Sequence, residues 1–132
     1  MITKDEIRSI PELYKSIQRD KEQLSYLNEK ATSVPSGLSD KERVQTSPNN
    51  TAGRYVEAAA DLQREITEKE RELAELQARA KEFIETVEDP FARKILRMRY
   101  LKCYNWDVVA DLLGYAERHV CRVEADTVND LN

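Results

Sequence analysis

The side chains best able to do chemistry in this chain are Cys103, His119 and Cys121, the last two only two positions apart. A thiol–imidazole pair can act as a nucleophile and base, and all three can bind zinc. Neither reading survives the spacing. The set matches no common zinc knuckle and lacks a fourth ligand, and the single His has no obvious nucleophile arranged beside it. Three Gly in 132 residues leave nothing from which to build a phosphate-cradling loop, and no Ser-centred elbow occurs. The 25 carboxylates sit mostly among Lys, Arg and Gln at positions that read as solvated helix faces. The expectation is a protein that is not an enzyme and has neither a metal nor another cofactor.

Paired guanidinium groups are the more informative feature. Arg118 and Arg122 are four apart, which places them one turn apart on one face of a helix, within reach of adjacent bases or phosphates. Glu117 could accept from a cytosine amino group or favour the positive end of the helix. His119 reads as a surface or phosphate-contacting side chain, with Ala116, Cys121 and Ala125 as further exposed positions. Whole-chain net charge is −4, but residues 93–122 hold seven Lys or Arg against three acids, a local +4. Arg93, Lys94, Arg97, Arg99 and Lys102 can supply phosphate contacts, which carry most of the affinity of a DNA-binding protein.

Three helices are needed to position those groups: Pro90 to Lys102, Trp106 to Leu113, and Ala116 to about Leu131. Asp89 before Pro90 is a good cap and first-residue pair. Gly114-Tyr115 is so short a link that only a tight helix-turn-helix fits it. Counted from Trp106, small Ala110 falls fifth, where a second helix crosses closely. Gly114 falls ninth, where the chain must turn through a left-handed conformation, and Val120 falls fifteenth. Val109, Leu113, Tyr115 and Val123 take the inward positions, with Trp106 and Ile95 or Leu96 beneath.

Upstream, two heptad series stand on either side of a polar stretch. The first runs Ile10, Leu13, Ile17, Leu24, Leu27 and Ala31, with charged Asp20 on the seam. The second runs Tyr55, Ala59, Leu62, Ile66, Leu73, Leu76, Ala80, Phe83 and Val87, with charged Lys69 on the seam. An antiparallel hairpin sets Leu13 on Leu73 and Leu24 on Leu62, and brings Asp20 and Lys69 into neighbouring layers where they can pair. The same seams would also suit a homo-oligomer. Between them, SVPSGLSDKERVQTSPNN at about 33–50 reads as a mobile polar loop. Asn49-Asn50-Thr51 matches a glycosylation acceptor, but the N-terminus MITKDEIRSIPELY has no signal-peptide core and no apolar run spans a membrane. Two Cys without a leader read as reduced thiols in a cytoplasmic protein. The fold class expected is therefore all-α. Residues 1–88 form a long antiparallel helical hairpin, a coiled coil, and residues 89–132 form a three-helix helix-turn-helix module.

The run ILRMRYLKCYNWDVVADLLGYAERHVCRV adds a resemblance. Arg99-Tyr100, Trp106, Val109-Ala110, Leu113-Gly114-Tyr115, Val120 and Arg122 are similar to the C-terminal module of small phage regulators of the ArpU and RinA kind. That module is itself related in pattern to region four of bacterial sigma factors. The resemblance extends upstream to a helical hairpin interrupted by a Ser- and Pro-containing loop, but specific motifs occupy only the last third. It implies a phage or prophage regulator of transcription in a bacterial host cell, with double-stranded DNA and RNA polymerase as its partners. Where the family has Ser at the recognition-helix cap this chain has Ala116, a loss worth about 1 kcal/mol to a helix. Two other classes fit the same elements. One is a protein-only adaptor for RNA polymerase or another phage protein; the other is a DNA-packaging accessory.

Overall fold

The computed structural model describes residues 1–32 and 51–131. The polar stretch at about 33–50, with the acceptor Asn49, lies outside the described residues. Five helices occur among those described, and no strand: α1 (Lys4–Thr32), α2 (Thr51–Thr86), α3 (Pro90–Leu96), α4 (Trp106–Leu113) and α5 (Glu117–Val128). The chain is all-α, with α1 and α2 packed on each other as an antiparallel pair and α3–α5 following as a helix-turn-helix module.

Packing groups the residues along a different line from the 1–88 and 89–132 division. One compact unit joins residues 1–15 and 71–131, and the second holds residues 16–32 and 51–70. The helix break itself lies where Asp89 and Pro90 indicate. Asp89 accepts from the Phe91 backbone N–H at 3.1 Å, and Pro90 is the first helical residue, where its missing N–H costs nothing.

In the first unit α1 begins with a reciprocal cap. The Thr3 hydroxyl accepts from the Glu6 N–H at 3.1 Å, and the Glu6 carboxylate accepts from the Thr3 N–H at 3.0 Å. Ile2 and Ile7, on either side of that cap, are both buried in one cluster, the apolar staple that fixes the entry of the chain. Ile10, Leu76, Ala80, Phe83, Ile84, Leu96, Tyr100, Val128 and Leu131 complete the cluster. Pro11 sits inside α1, buried, where it forgoes one backbone hydrogen bond. A bidentate pair closes the surface: Arg79 donates to the two Glu6 carboxylate oxygens at 2.8 and 2.9 Å.

In the second unit Ile17, Ala59, Leu62 and Ile66 are buried between the helices. Lys69 reaches across to Asp20 at 2.7 Å and to the Ser16 hydroxyl at 2.8 Å, so the two charges on the seams do pair. The exposed Lys21–Glu70 pair at 2.9 Å adds little.

Arg79 and the Thr3 backbone hold the Glu6 carboxyl down from 4.5 to about 2. A depressed folded-state value adds stability above the unfolded value, and that contribution disappears as pH falls from about 4.5 towards about 2. Thermal unfolding of Glu6→Gln should therefore show a lower Tm than the parent at neutral pH, with the difference closing at the acid end of that window. Asp20→Leu combined with Lys69→Leu should raise the Tm, because a half-buried ion pair rarely outweighs apolar packing. Lys69→Leu alone should lower it by leaving Asp20 unpartnered. A double variant that melts well below the parent would show that the pair stabilises the hairpin outright.

Candidate nucleic-acid interface

The second core of the first unit belongs to α3–α5 alone. Ile95, Val109, Ala110 and Val120 are buried together, with Phe91, Met98, Trp106, Leu113 and Val123 packed around them. Of the two residues expected beneath the turn, Ile95 takes that place and Leu96 joins the other cluster. Gly114 ends α4 at φ 76°, ψ 30°, and its N–H and that of Tyr115 both bond to the Ala110 carbonyl, at 2.8 and 3.0 Å. That left-handed step is open to glycine and costs other residues about 1–2 kcal/mol.

The same step corrects the expectation for Tyr115. It was expected inward, and is instead 52 % exposed. The turn carries its ring outward onto Phe91, with centroids 4.9 Å apart, and onto His119 at 5.2 Å. His119 is exposed and also stacks on Phe91, at 5.8 Å and 27°. These three rings bring the start of α3 beside the start of α5.

On α5, Val120, Glu124 and Val128 face inward and Glu117, Arg118 and Arg122 are exposed, while Cys121 and Ala125 are half-buried. Arg118 and Arg122 lie one turn apart, and among the described residues neither has an ion-pair or hydrogen-bond partner. Asp126, one turn further on and also exposed, confines the basic part of this face to the first two turns.

The five bases ahead of the turn divide by their partners. Arg93 donates to the Val87 carbonyl at 2.9 Å and closes the end of α2. Arg99 donates to the Tyr104 carbonyl at 3.0 Å and lies over the Trp106 ring, 4.8 Å from its centroid. Lys94, Arg97 and Lys102 are exposed with no such partner among the described residues. Lys94 is three residues beyond Phe91 and so shares the edge that meets α5.

α3 was expected to run unbroken to Lys102. It gives way at Arg97–Leu101 to a π-helical turn, in which Lys102 N–H bonds to the Arg97 carbonyl at 3.0 Å. Cys103 follows at φ 58°, an uncommon value for a residue with a Cβ. Gln77 on α2 holds this segment, donating to the Tyr100 and Leu101 carbonyls at 3.0 and 3.3 Å and to the Cys103 sulfur at 3.4 Å. Carbonyls loosened by the wider turn thus regain a donor.

Sequence reasoning passed over one buried charge. Glu124 is 5 % exposed on the inner face of α5, accepts from the Tyr100 hydroxyl, and lies 3.6 Å from the Arg8 guanidinium. Burial first, and then the neighbouring carboxylate, push the Tyr100 phenol well above its ordinary range, so it stays a donor. The available signal was position: Glu124 is four residues after Val120, on the inward side.

Burial raises the Cys103 and Cys121 thiols, with Glu117 and Glu124 adding to the effect at Cys121. Both are free, and neither is activated as a nucleophile. Among the described residues no group of three His, Cys, Asp or Glu is placed to hold a metal ion, and no helix is long and apolar enough to cross a membrane. Compared with known protein families, with characterised proteins and with solved structures, the chain matches none.

The cap of α5 supplies a test of this geometry. Ala116 has the extended backbone of a helix cap, φ −69° and ψ 145°, but no side-chain bond to offer. Ala116→Ser should place a hydroxyl within reach of the Arg118 or His119 N–H and stabilise the module by about 1 kcal/mol. Denaturant unfolding would read this as a raised midpoint at unchanged slope, and an unchanged midpoint would mean that the start of α5 is not built this way.

Proposed function

We propose that the chain is a DNA-binding regulator of transcription of the phage type, similar to sigma factor region four, that reads promoter DNA through α5. One observation carries the reading. The α4–turn–α5 unit leaves Arg118 and Arg122 exposed and unpartnered in the first two turns of its second helix, where such a unit meets base edges. Lys94, Arg97 and Lys102 supply phosphate contacts. Arg93 and Arg99, each already donating within the fold, contribute charge more than direct bonds. Glu117 and His119 flank the readout. Ala116 lacks a hydroxyl, so one bond that a Ser could offer a phosphate is missing. The reading places the protein in the cytoplasm of a bacterial host, with double-stranded DNA as its ligand and RNA polymerase as a further partner.

Selection of sheared genomic DNA by the purified protein, at low and near-physiological salt, tests this directly. The expected result is enrichment of one or a few intergenic sites, with recovery falling steeply as salt rises. Arg118→Ala/Arg122→Ala should abolish that enrichment, since each bidentate contact to a base is worth about 1–3 kcal/mol of discrimination. Recovery by the unmodified protein that is uniform, or absent at both salts, would overturn the reading.

A further inference from the structure

α4 is apolar on two sides, and the protein covers only one of them. Trp106, Val109, Ala110 and Leu113 pack into the module core. Val108 and Leu112, one turn apart on the opposite side, are 38 and 58 % exposed, and Tyr104 and Tyr115 leave further apolar surface at the two ends of the helix. These four make up the majority of the seven large apolar side chains exposed among the described residues. A solvent-facing helix ordinarily carries one apolar stripe, so a second leaves apolar surface uncovered. Beside the Val108–Leu112 row runs a second row, Asp107 and Asp111, also exposed and one turn apart. From residue 104 to residue 117 the chain has three acids and no Lys or Arg, although five Lys or Arg stand within residues 93–102 and Arg118 follows directly.

We infer that this outer face of α4 docks a basic amphipathic helix from a partner protein. Its apolar residues would cover Val108 and Leu112, and Lys or Arg at matching four-residue spacing would meet Asp107 and Asp111. Charge selects this occupant. DNA and anionic lipid would be repelled by the acidic row. A second copy laid symmetrically on the same face would set acid against acid. A basic helix satisfies both rows together, and opposite charges across an interface also exclude wrong partners. The inference goes beyond the DNA reading, which uses α5 and not this face.

The probe is a fluorescent amphipathic peptide of about 18 residues, long enough to hold a helix, with a Leu stripe edged by Lys and Arg. A second peptide carries Glu at those edge positions. Anisotropy titration against the full chain should show the basic peptide bound about tenfold more tightly, with the preference shrinking at high salt. Val108→Ser/Leu112→Ser should abolish binding of both peptides, and Asp107→Lys/Asp111→Lys should reverse the preference. Asp107 lies in the first turn of α4, where an acid favours the helix, and Val108 is partly covered, so both variants are expected to melt a little below the parent and binding is compared where each is fully folded.

Equal binding of the two peptides, or binding that survives in both variants, would overturn the inference. So would self-association of the protein that Val108→Ser/Leu112→Ser abolishes, since the occupant would then be a second copy. Loss of DNA binding in those variants, with folding intact, would give the face to DNA and overturn it as well. A protein that binds the basic peptide as described but selects no DNA would remove the DNA reading alone.

Discussion

An amphipathic helix as long as α2 cannot stand alone in water, because its seam of Leu, Ile and Ala must be covered along its whole length. That requirement organises the protein. The last turns of α2 present Leu76, Ala80, Phe83 and Ile84 to two sets of neighbours: Ile2, Ile7 and Ile10 at the N-terminal end, and Leu96, Tyr100, Val128 and Leu131 from the C-terminal module. The end of the hairpin is thus the floor on which the helix-turn-helix stands. A three-helix module of some forty residues has little core of its own. Here a second cluster, around Ile95, Val109 and Val120, is separate from that floor and builds the turn.

Polar groups fix what apolar burial leaves adjustable. A greasy seam tolerates sliding, whereas a buried carboxylate does not, because moving it away from its partners exposes the full desolvation cost of the group. Glu124 on α5, bonded to Tyr100 and approached by Arg8, ties the second helix of the turn to the start of α1. Gln77 does the same for the π-helical segment, and Lys69 with Asp20 does so in the second unit. Each is a tie between residues far apart in sequence, and each sits where a helix would otherwise be free to rotate about its axis or shift by a turn.

Sequence periodicity made the hairpin legible, including the pairing of Asp20 with Lys69, because seam positions in a heptad depend only on local spacing. The Asp89-Pro90 start, the α4 limits and the left-handed turn at Gly114 were legible for the same reason: caps and turns are decided within four or five residues. What escaped was set by distant neighbours. The π-helical turn is held by a glutamine more than twenty residues upstream, and Arg93 and Arg99 were assigned outward roles because a basic side chain carries no local sign that a carbonyl or an indole awaits it. Tyr115 takes an inward position when the unit is counted from Trp106. Once Gly114 directs the backbone outward, its ring reaches Phe91 and His119 instead. The Thr3–Glu6 cap is the exception, since its Thr-x-x-Glu signal lies within four residues.

The outer faces of the helix-turn-helix differ in sign, and this bears on function more than the net charge of the chain does. Screening at physiological salt limits an exposed charge to about 8 Å, so a ligand meets a face and not a total. α5 offers Arg118 and Arg122, joined across the aromatic contact by Lys94 on α3. α4 offers Asp107 and Asp111 beside bare Val108 and Leu112. One core supports both helices, so a polyanion drawn to the first face is turned away from the second, and a cationic helix drawn to the second is turned away from the first. On the proposed readings, opposed fields on adjacent helices direct a nucleic acid and a cationic helix to different faces of one small module.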